Sequence, residues 1–314
     1  MPKYTSEQLT DWLSGPPKKA GQKKLEDFLH KKIPKPEKLK IAINEAEAKE
    51  LLGADCLGKA EIEKAFHITL EEKDIPPIPF SEEELIKAKE LGQFLILRVS
   101  NIGGEPLTMK KMNETLEEEF ATGNKGKIFY NTNDYKNEKF FTSETPVSGW
   151  ALTSKEVIPN STSKNYLEQT QTLVDYLSNQ VFKDKTLPPE YQEAIEEFNA
   201  YVSANFANNS PTALLGGDNW KKYTQELSDL KINKILRQTP AEILYDVLVY
   251  FQNNGQRLLE NMTTWTSRWT SRRSSDGWLV LVGGFDAGGA SVDAWRPGRA
   301  SVYLGVSFSR SLKL

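Results

Sequence analysis

Glycine breaks the C-terminal part of this chain into apolar runs that are too short to form helices. The runs Trp278–Phe285 (WLVLVGGF) and Tyr303–Ser309 (YLGVSFS) each contain glycine, and further glycines separate them. Glycine is unfavourable inside a helix and common where a chain turns sharply. The pattern therefore predicts that residues 261–314 form a compact set of short strands and turns. Within these apolar runs, Phe285, Val306 and Phe308 are predicted to be core residues.

The same segment also differs from the rest of the chain in composition. Beyond Glu260 there is no glutamate and a single lysine, Lys313, but the segment holds four of the seven tryptophans and six arginines. Arginine, tryptophan and tyrosine dominate binding hot spots because they combine large contact areas with directional hydrogen bonding. The segment is therefore predicted to carry a recognition surface. Because arginine is rarely buried without a partner, five arginines are expected to face solvent or a ligand: Arg268, Arg272, Arg273, Arg296 and Arg299.

Two other interpretations of this segment were weighed against a recognition surface. Tryptophans beside glycine turns often fill the core of a small sheet, and Trp265 and Trp295 fit that role as well as a binding role. Arginine interleaved with tryptophan also suits base stacking and phosphate contact in nucleic-acid binding. Against nucleic acid stand Asp276, Asp286 and Asp293 in the same segment, and a formal net charge of −3 for the chain. We expect no nucleic-acid partner.

The composition of the whole chain is that of an ordinary globular protein, with 38% hydrophobic and 26% charged residues among 314. The single cysteine, Cys56, excludes an intramolecular disulfide and a multi-cysteine zinc site. His30 and His67 lack ligand-like spacing, so neither a metal nor a cofactor is expected. No apolar run reaches the length of a signal peptide or a membrane span. The default expectation is a cytoplasmic protein, although export without a cleavable signal leaves no trace in a sequence.

The sequence contains no recognised catalytic motif. It has no G-x-S-x-G, Walker A loop, paired-histidine metal motif or cysteine-nucleophile context. The pairs Gly283-Gly284 and Gly288-Gly289 lack the strand-to-helix context of a phosphate loop and are predicted to be turns. Asp276 and Asp286 could form a carboxylate pair, but Asp-Gly and Asp-x-Gly are ordinary turn sequences, and the turn role is favoured. We therefore expect a binding protein and not an enzyme.

Caps and apolar spacing predict helices before residue 261. Two short helices are expected between Leu39 and Phe66, and Ser81 with Glu84 forms a capping box for a helix to Glu90. Thr239-Pro240-Ala241-Glu242 gives the strongest local signal, which predicts a long helix through about Leu259. Two amphipathic helices are predicted between residues 163 and 206.

Strand signals and a proline-rich segment suggest how the chain is divided. Strands are predicted at Gly92–Ser100 and Trp150–Thr153. The proline-rich segment Ile75–Pro79 marks the expected boundary between a charged, helical N-terminal region, residues 1–80, and a larger domain, residues 81–314.

Several of these residues resemble the formylglycine-generating-enzyme branch of the C-type lectin fold. The helix start Leu236–Tyr245 (LRQTPAEILY) is similar to the start of a helix in that branch. Phe285–Ala290, Trp295–Pro297 and Leu304–Arg310 resemble its closing strands. The resemblance implies an α+β, C-type lectin-like fold with a helical N-terminal extension. It does not imply the oxidase activity, because that chemistry needs cysteines in the C-terminal part and none follows Cys56.

The remaining pattern resembles the variable proteins of diversity-generating retroelements, of the archaeal and small-genome bacterial type. In such proteins fixed scaffold blocks alternate with positions that a reverse transcriptase rewrites. The resemblance implies a ligand-binding protein that recognises a protein or cell-surface molecule through residues 261–314. Alternatives are a phage-tail-like or surface adhesin, or a non-catalytic relative of formylglycine-generating enzyme. The expected ligand-display set is Arg268, Trp269, Arg272, Arg273, Trp278, Gly283, Ala287, Val292, Asp293, Arg296, Gly298, Arg299 and Tyr303.

Overall fold

The computed structural model describes residues 43–208, 210–260 and 267–311, which combine helices and strands in the α+β class expected from the sequence. The helices are α1 (Glu45–Leu52), α2 (Lys59–Phe66), α3 (Glu82–Glu90), α4 (Met109–Thr122), α5 (Lys139–Thr142), α6 (Tyr166–Tyr176), α7 (Pro189–Phe206), α8 (Pro211–Gly216), α9 (Trp220–Asp229), α10 (Lys231–Leu236) and α11 (Pro240–Asn254). The strands are β1 (Cys56–Leu57), β2 (Gln93–Arg98), β3 (Asn101–Ile102), β4 (Glu105–Pro106), β5 (Gly149–Ser154), β6 (Ser267–Arg273), β7 (Leu279–Asp286), β8 (Gly289–Trp295), β9 (Leu304–Gly305) and β10 (Ser309–Ser311).

The first sheet contains strands from the beginning and the end of the described chain, and its strand order is β1-β2-β5-β10. Strand β1 runs parallel to β2, and β2 and β10 both run antiparallel to β5. All six residues of β2 are buried, which agrees with the apolar run between Gln93 and Arg98. The closing strand places Arg310 opposite Leu152, so the last described residues complete a sheet that starts at Cys56.

The second sheet is built almost entirely from the C-terminal segment, in the order β8-β7-β6-β9. Its central strand β7 lies between two hydrophobic cores. Val280 and Val282 pack into the core that contains α11, whereas Leu279 and Leu281 pack into the core that contains α6 and α7. Because successive side chains of a strand point to opposite faces, both faces of β7 are covered.

Helix α11 is the central helix of the first core and begins as the sequence predicted. The Thr239 hydroxyl accepts the Glu242 N–H at 3.1 Å, and the Glu242 carboxylate accepts the Thr239 N–H at 2.8 Å. The helix ends at Asn254, five residues before the predicted end, because Gly255 adopts a left-handed conformation with φ of 68°.

A buried ion pair connects α11 to strands β2 and β10 of the first sheet. Arg98 on β2 donates to both carboxylate oxygens of Asp246, from Nε at 2.9 Å and from Nη2 at 2.5 Å, and Nη2 also donates to the Ser309 hydroxyl at 3.2 Å. Gln238 donates a further hydrogen bond to Asp246 at 2.6 Å. Burial opposes the charge on the Arg98 guanidinium, but Asp246 and Glu242 outweigh it and raise its pKa.

The structure differs from the expected division of the chain at residue 80. Residues 43–80 belong to the same compact unit as the larger domain, because β1 pairs with β2 and the helices α1 and α2 pack into the same core as α11. The predicted helices α1, α2, α3, α6, α7 and α11 and the predicted strands β2 and β5 are confirmed. Helix α4 and the shorter helices α5, α8, α9 and α10 were not predicted. Over the described ranges, no helix has the length and apolar character needed to cross a membrane.

Candidate functional site

A cavity of about 400 Å³ lies over one face of the second sheet, beside strand β8. Leu281 and Leu304 contribute its apolar surface, and three aromatic side chains line it, Tyr130, Trp295 and Tyr303. The exposed fraction of Tyr130 is 72% and that of Tyr303 is 48%, which is unusual for large aromatic residues.

The pairing of β7 with β8 explains how these residues come together. Leu279 lies opposite Trp295, Leu281 opposite Asp293, and Gly283 opposite Ser291. Residues directly opposite in an antiparallel pair share a face, so Asp293 and Trp295 stand on the cavity face beside Leu281. The loop between β8 and β9 then returns across the same face and brings Tyr303 to the cavity.

Gly289 lets the chain segment that carries Tyr130 approach the start of β8. A Cβ atom at Gly289 would lie 2.4 Å from the backbone carbon of Phe129, and its φ of 100° is a conformation that other residues rarely adopt. The close approach allows two backbone hydrogen bonds, from Ala290 to Ile128 and from Tyr130 to Ala290. Tyr130 is thus placed at the cavity by a contact between segments 160 positions apart in the sequence.

The cavity has an acidic character. Asp286 and Asp293 are its charged lining residues, and no lysine or arginine lines it among the described residues. One Asp293 oxygen accepts the Trp295 indole N–H at 2.8 Å, and one Asp286 oxygen accepts the Gly288 N–H at 2.7 Å. Arg299 stacks its guanidinium over the Trp295 ring, 5.2 Å from the centroid. The indole is therefore held in place on both its edge and its face.

A second cavity, of about 190 Å³, lies on the opposite face of β8. Val292, whose side chain packs against the first core, lines it together with Tyr135, Glu138 and Trp278. Asp293 lines both cavities because β8 is at the edge of the sheet.

Three of the expected display arginines contact other parts of the protein. Arg272 donates from Nε to Glu144 at 2.6 Å, and Arg273 donates to Gln225 at 3.0 Å. Arg296 lies against two tryptophan rings, with its guanidinium carbon 5.1 Å from the centroid of Trp220 and 5.5 Å from that of Trp278. None of these contacts involves Asp276, Asp286 or Asp293.

The expectation that Arg268 faces solvent or a ligand is wrong, because its side chain is only 1% exposed. Strand β6 turns Arg268 inward, where it donates to the Gln238 side chain at 3.4 Å and to the Lys155 carbonyl at 2.5 Å. Burial lowers the pKa of Arg268 to about 10. Gly283 is likewise unsuited to display, since it is buried in the middle of the sheet, paired with Ser267 and Ser291.

The remaining display candidates occupy different surroundings. Ala287 is exposed at the β7–β8 turn, where its carbonyl accepts the Lys127 N–H at 3.0 Å. Gly298 is half-buried against the backbone of Leu215, where a Cβ atom would lie 3.1 Å from the carbonyl carbon. Trp269 is described only in its backbone, and Trp265 lies outside the described residues. Of the thirteen candidates, Asp293 and Tyr303 lie directly on the larger cavity.

Residues from the middle of the chain, which the expected display set does not include, also belong to this site. Tyr130 lines the larger cavity, and Asp134, Tyr135 and Glu138 line the smaller one. The sequence signal beside them is the asparagine-rich segment around Asn131–Asn137, which is the alternative location for a recognition surface if the C-terminal arginines do not provide one.

The described residues provide no arrangement suited to metal or thiol chemistry. They contain no group of three or more histidine, cysteine, aspartate or glutamate side chains positioned to hold a metal ion. Cys56 is buried, and this burial raises the pKa of its thiol to about 12, so the reactive thiolate is scarce at neutral pH. What the site offers is aromatic surface, two carboxylates and an open strand edge.

No family model, no curated protein and no solved structure matches this chain.

Proposed function

We propose that this chain is a non-catalytic ligand-binding protein whose recognition surface is the larger cavity and its aromatic rim. The observation that carries the proposal is the exposure of Tyr130 and Tyr303 beside a cavity of about 400 Å³. Large aromatic side chains at such a position provide contact area at low entropic cost, as they do in the binding sites of antibodies.

The shape of the site favours a group that protrudes from a larger partner. The cavity volume falls within the range of small-molecule sites, roughly 300–1,000 Å³. Tyr130 and Tyr303 line the cavity but are exposed, and together with the neighbouring Val302, which is 62% exposed, they would contact surface beyond the bound group. A protein or cell-surface molecule with one inserted side chain or sugar fits both features.

The wider proposal is a C-type lectin-like scaffold diversified by a retroelement. Its support is the separation between buried and exposed positions in residues 267–311. The predicted core residues Phe285, Val306 and Phe308 are each at most 1% exposed, whereas Asp293 and Arg299 are exposed. Substitution at exposed positions typically changes stability by no more than about 0.5 kcal/mol, so such a scaffold tolerates different surfaces. A surface adhesin with the same site would differ in its assembly.

A ligand-array screen tests the binding proposal. Wild type is compared with Tyr130→Ser/Tyr303→Ser and with the control Ile86→Ser/Val147→Ser, whose residues are 43% and 48% exposed. We expect the first double variant to fold and lose a ligand that the control retains. Equal binding by both variants would place recognition elsewhere.

The gene neighbourhood tests the diversification proposal independently of binding. We expect a reverse-transcriptase gene and an imperfect repeat of the bases that encode the C-terminal segment, with differences confined to template adenines. A neighbourhood without them would leave a binding protein of fixed sequence.

A further inference from the structure

Strand β8 has an open edge on the side away from β7. The sheet order is β8-β7-β6-β9, so β8 has one strand neighbour among the described residues. On its other side, residues 128–130 pair with it only at Ala290, through a parallel bridge from Phe129. Residues 291–295 continue beyond that bridge. An uncovered edge of this kind is a template for another strand.

The hydrogen bonds identify which backbone groups point outward from this edge. Ala290 donates to Ile128 at 2.8 Å and accepts from Tyr130 at 3.0 Å, so both of its backbone groups point away from β7. Because backbone direction alternates along a strand, Val292 and Ala294 point the same way. The Val280 carbonyl, opposite Ala294, accepts instead from the Thr270 hydroxyl on β6 at 2.9 Å, which agrees with this alternation.

One of these outward-pointing groups, the Ala294 N–H, already has a hydrogen-bond acceptor on β8 itself. Asp293 Oδ1 accepts the Ala294 N–H at 2.7 Å. A carbonyl oxygen of an added strand would occupy this position. The Asp293 carboxylate thus accepts the hydrogen bond from the Ala294 N–H in place of an added strand, while its other oxygen accepts the Trp295 indole N–H.

We propose that the edge of β8 at Val292–Ala294 binds an extended, basic peptide segment of a partner protein as an additional strand. This inference rests on the proposed function and names its ligand class. Alternate side chains of an added strand point to opposite faces of the sheet. One set would enter the larger cavity, and the other would enter the cavity lined by Val292 and Tyr135.

The charge of both cavities selects a basic segment. Asp286 and Asp293 line the larger cavity, and Asp134, Glu138, Asp276 and Asp293 line the smaller one. Among the described residues, neither cavity is lined by lysine or arginine. The exposed rings of Tyr130 and Tyr303 add cation–π attraction for lysine or arginine. The same charges oppose edge-to-edge pairing of two copies, because their acidic edges would face each other.

Fluorescence anisotropy with synthetic peptides tests the inference on the full chain. The probe is a labelled heptapeptide of alternating lysine and threonine, and its charge control replaces lysine by glutamate. A third peptide keeps the lysine-threonine sequence but is N-methylated at every residue, which removes the donors a strand needs. We expect the glutamate and N-methylated peptides to bind at least about tenfold more weakly. Equal binding of the N-methylated peptide overturns strand addition, and equal binding of the glutamate peptide overturns the basic ligand class.

Protein variants locate the peptide on β8. Val292→Pro removes an outward N–H that β7 does not use, as proline does on edge strands, whereas Val292→Thr keeps both the N–H and the branched shape. We expect the proline variant to lose peptide binding about tenfold or more and the threonine variant to stay within about threefold. If the proline variant does not fold, the N-methylated peptide still decides the question.

The remaining outcomes separate this inference from the proposed function. If no lysine peptide binds, but Tyr130→Ser/Tyr303→Ser still loses an array ligand, the inference fails and the proposed function stands. If light scattering shows a dimer that Val292→Pro dissolves, the edge serves a second copy and the inference is overturned.

Discussion

Arginine occupies two contrasting regions of this molecule, the interior of the sheets and the loop that follows β8. Arg98, Arg268 and Arg310 are at most 3% exposed, and each contacts partners far away in the sequence. Arg296 and Arg299 are exposed and rest on tryptophan rings. Arg98 and Arg310 connect strands to helices, and Arg268 connects β6 to Gln238 and Lys155, whereas the loop arginines cover aromatic surface beside the cavities. The difference shows that the geometry of the strand, and not the residue type, determines whether an arginine is buried in the framework or exposed at the surface.

The largest effect is expected from breaking the ion pair between β2 and α11. In Asp246→Ala, Arg98 keeps only Glu242 at 3.4 Å as a charged partner and remains buried. Removing one member of a buried pair typically costs about 3–5 kcal/mol. Urea unfolding measures this cost. The control Glu144→Ala removes the half-exposed partner of Arg272 and should cost about 0–1 kcal/mol. Similar costs for the two variants would mean that the buried pair contributes no more to stability than a half-exposed one.

The next prediction compares the unfolding free energies of two alanine variants, one for an arginine from each region. Arg268→Ala opens a cavity and leaves the Gln238 and Lys155 oxygens with one donor fewer, so we expect a loss of about 2–4 kcal/mol. Arg299→Ala should change stability by no more than about 0.5 kcal/mol. A stable Arg268→Ala variant with weakened ligand binding would return Arg268 to the display set.

Acid unfolding should distinguish the buried Arg310 from the loop arginines, because Arg310 is paired with a carboxylate, that of Glu84. Burial acts to raise the pKa of Glu84, but the Arg310 guanidinium, at 2.9 Å, and bonds from Ser81 lower it below its ordinary 4.5. A carboxyl whose pKa is lower in the folded state contributes stability above its unfolded pKa and loses it as the pH falls. We therefore expect wild type to lose stability more steeply than Glu84→Gln below about pH 4.5. Glutamine still suits the capping box, so helix α3 should persist. If thermal scans show that wild type and Glu84→Gln lose stability equally as the pH falls, the prediction is contradicted.

Local signals in the sequence predicted much of this fold. The capping boxes at Ser81 and Thr239 start helices where expected, and the glycine-broken runs form strands. Helix α4 was not predicted, although Thr108 caps it and its buried residues Met109, Met112, Leu116 and Phe120 recur at helical spacing. Such signals act over a few residues and are visible in one sequence.

The site was harder to predict because long-range pairing builds it. The sequence around Tyr130 does not indicate that the segment carrying Tyr130 packs against Gly289 at the edge of β8. Arg268 was misassigned because general burial preferences do not reveal which face of β6 points inward. The exposure of Asp293 and Tyr303 was anticipated, but the cavity between them depends on the register of β7 with β8.

The last comparison concerns Arg296, which lies on the border between the two regions. Its guanidinium is exposed, yet it packs against the Trp220–Trp278 pair, whose ring centroids are 4.8 Å apart. The contact links α9 to the start of β7 and to the loop that carries Tyr303. Exposed cation–π contacts contribute about 0.5–1 kcal/mol, so Arg296→Ala should lower the unfolding free energy by that amount.

Arg296→Lys provides the matched control, because lysine keeps the charge but cannot stack a planar group on both rings. Thermal unfolding and tryptophan fluorescence should place this variant between wild type and Arg296→Ala. If alanine alters ligand binding without altering stability or fluorescence, Arg296 belongs to the recognition surface. If it alters stability and fluorescence but leaves ligand binding intact, Arg296 belongs to the framework, and the surface region starts with Arg299.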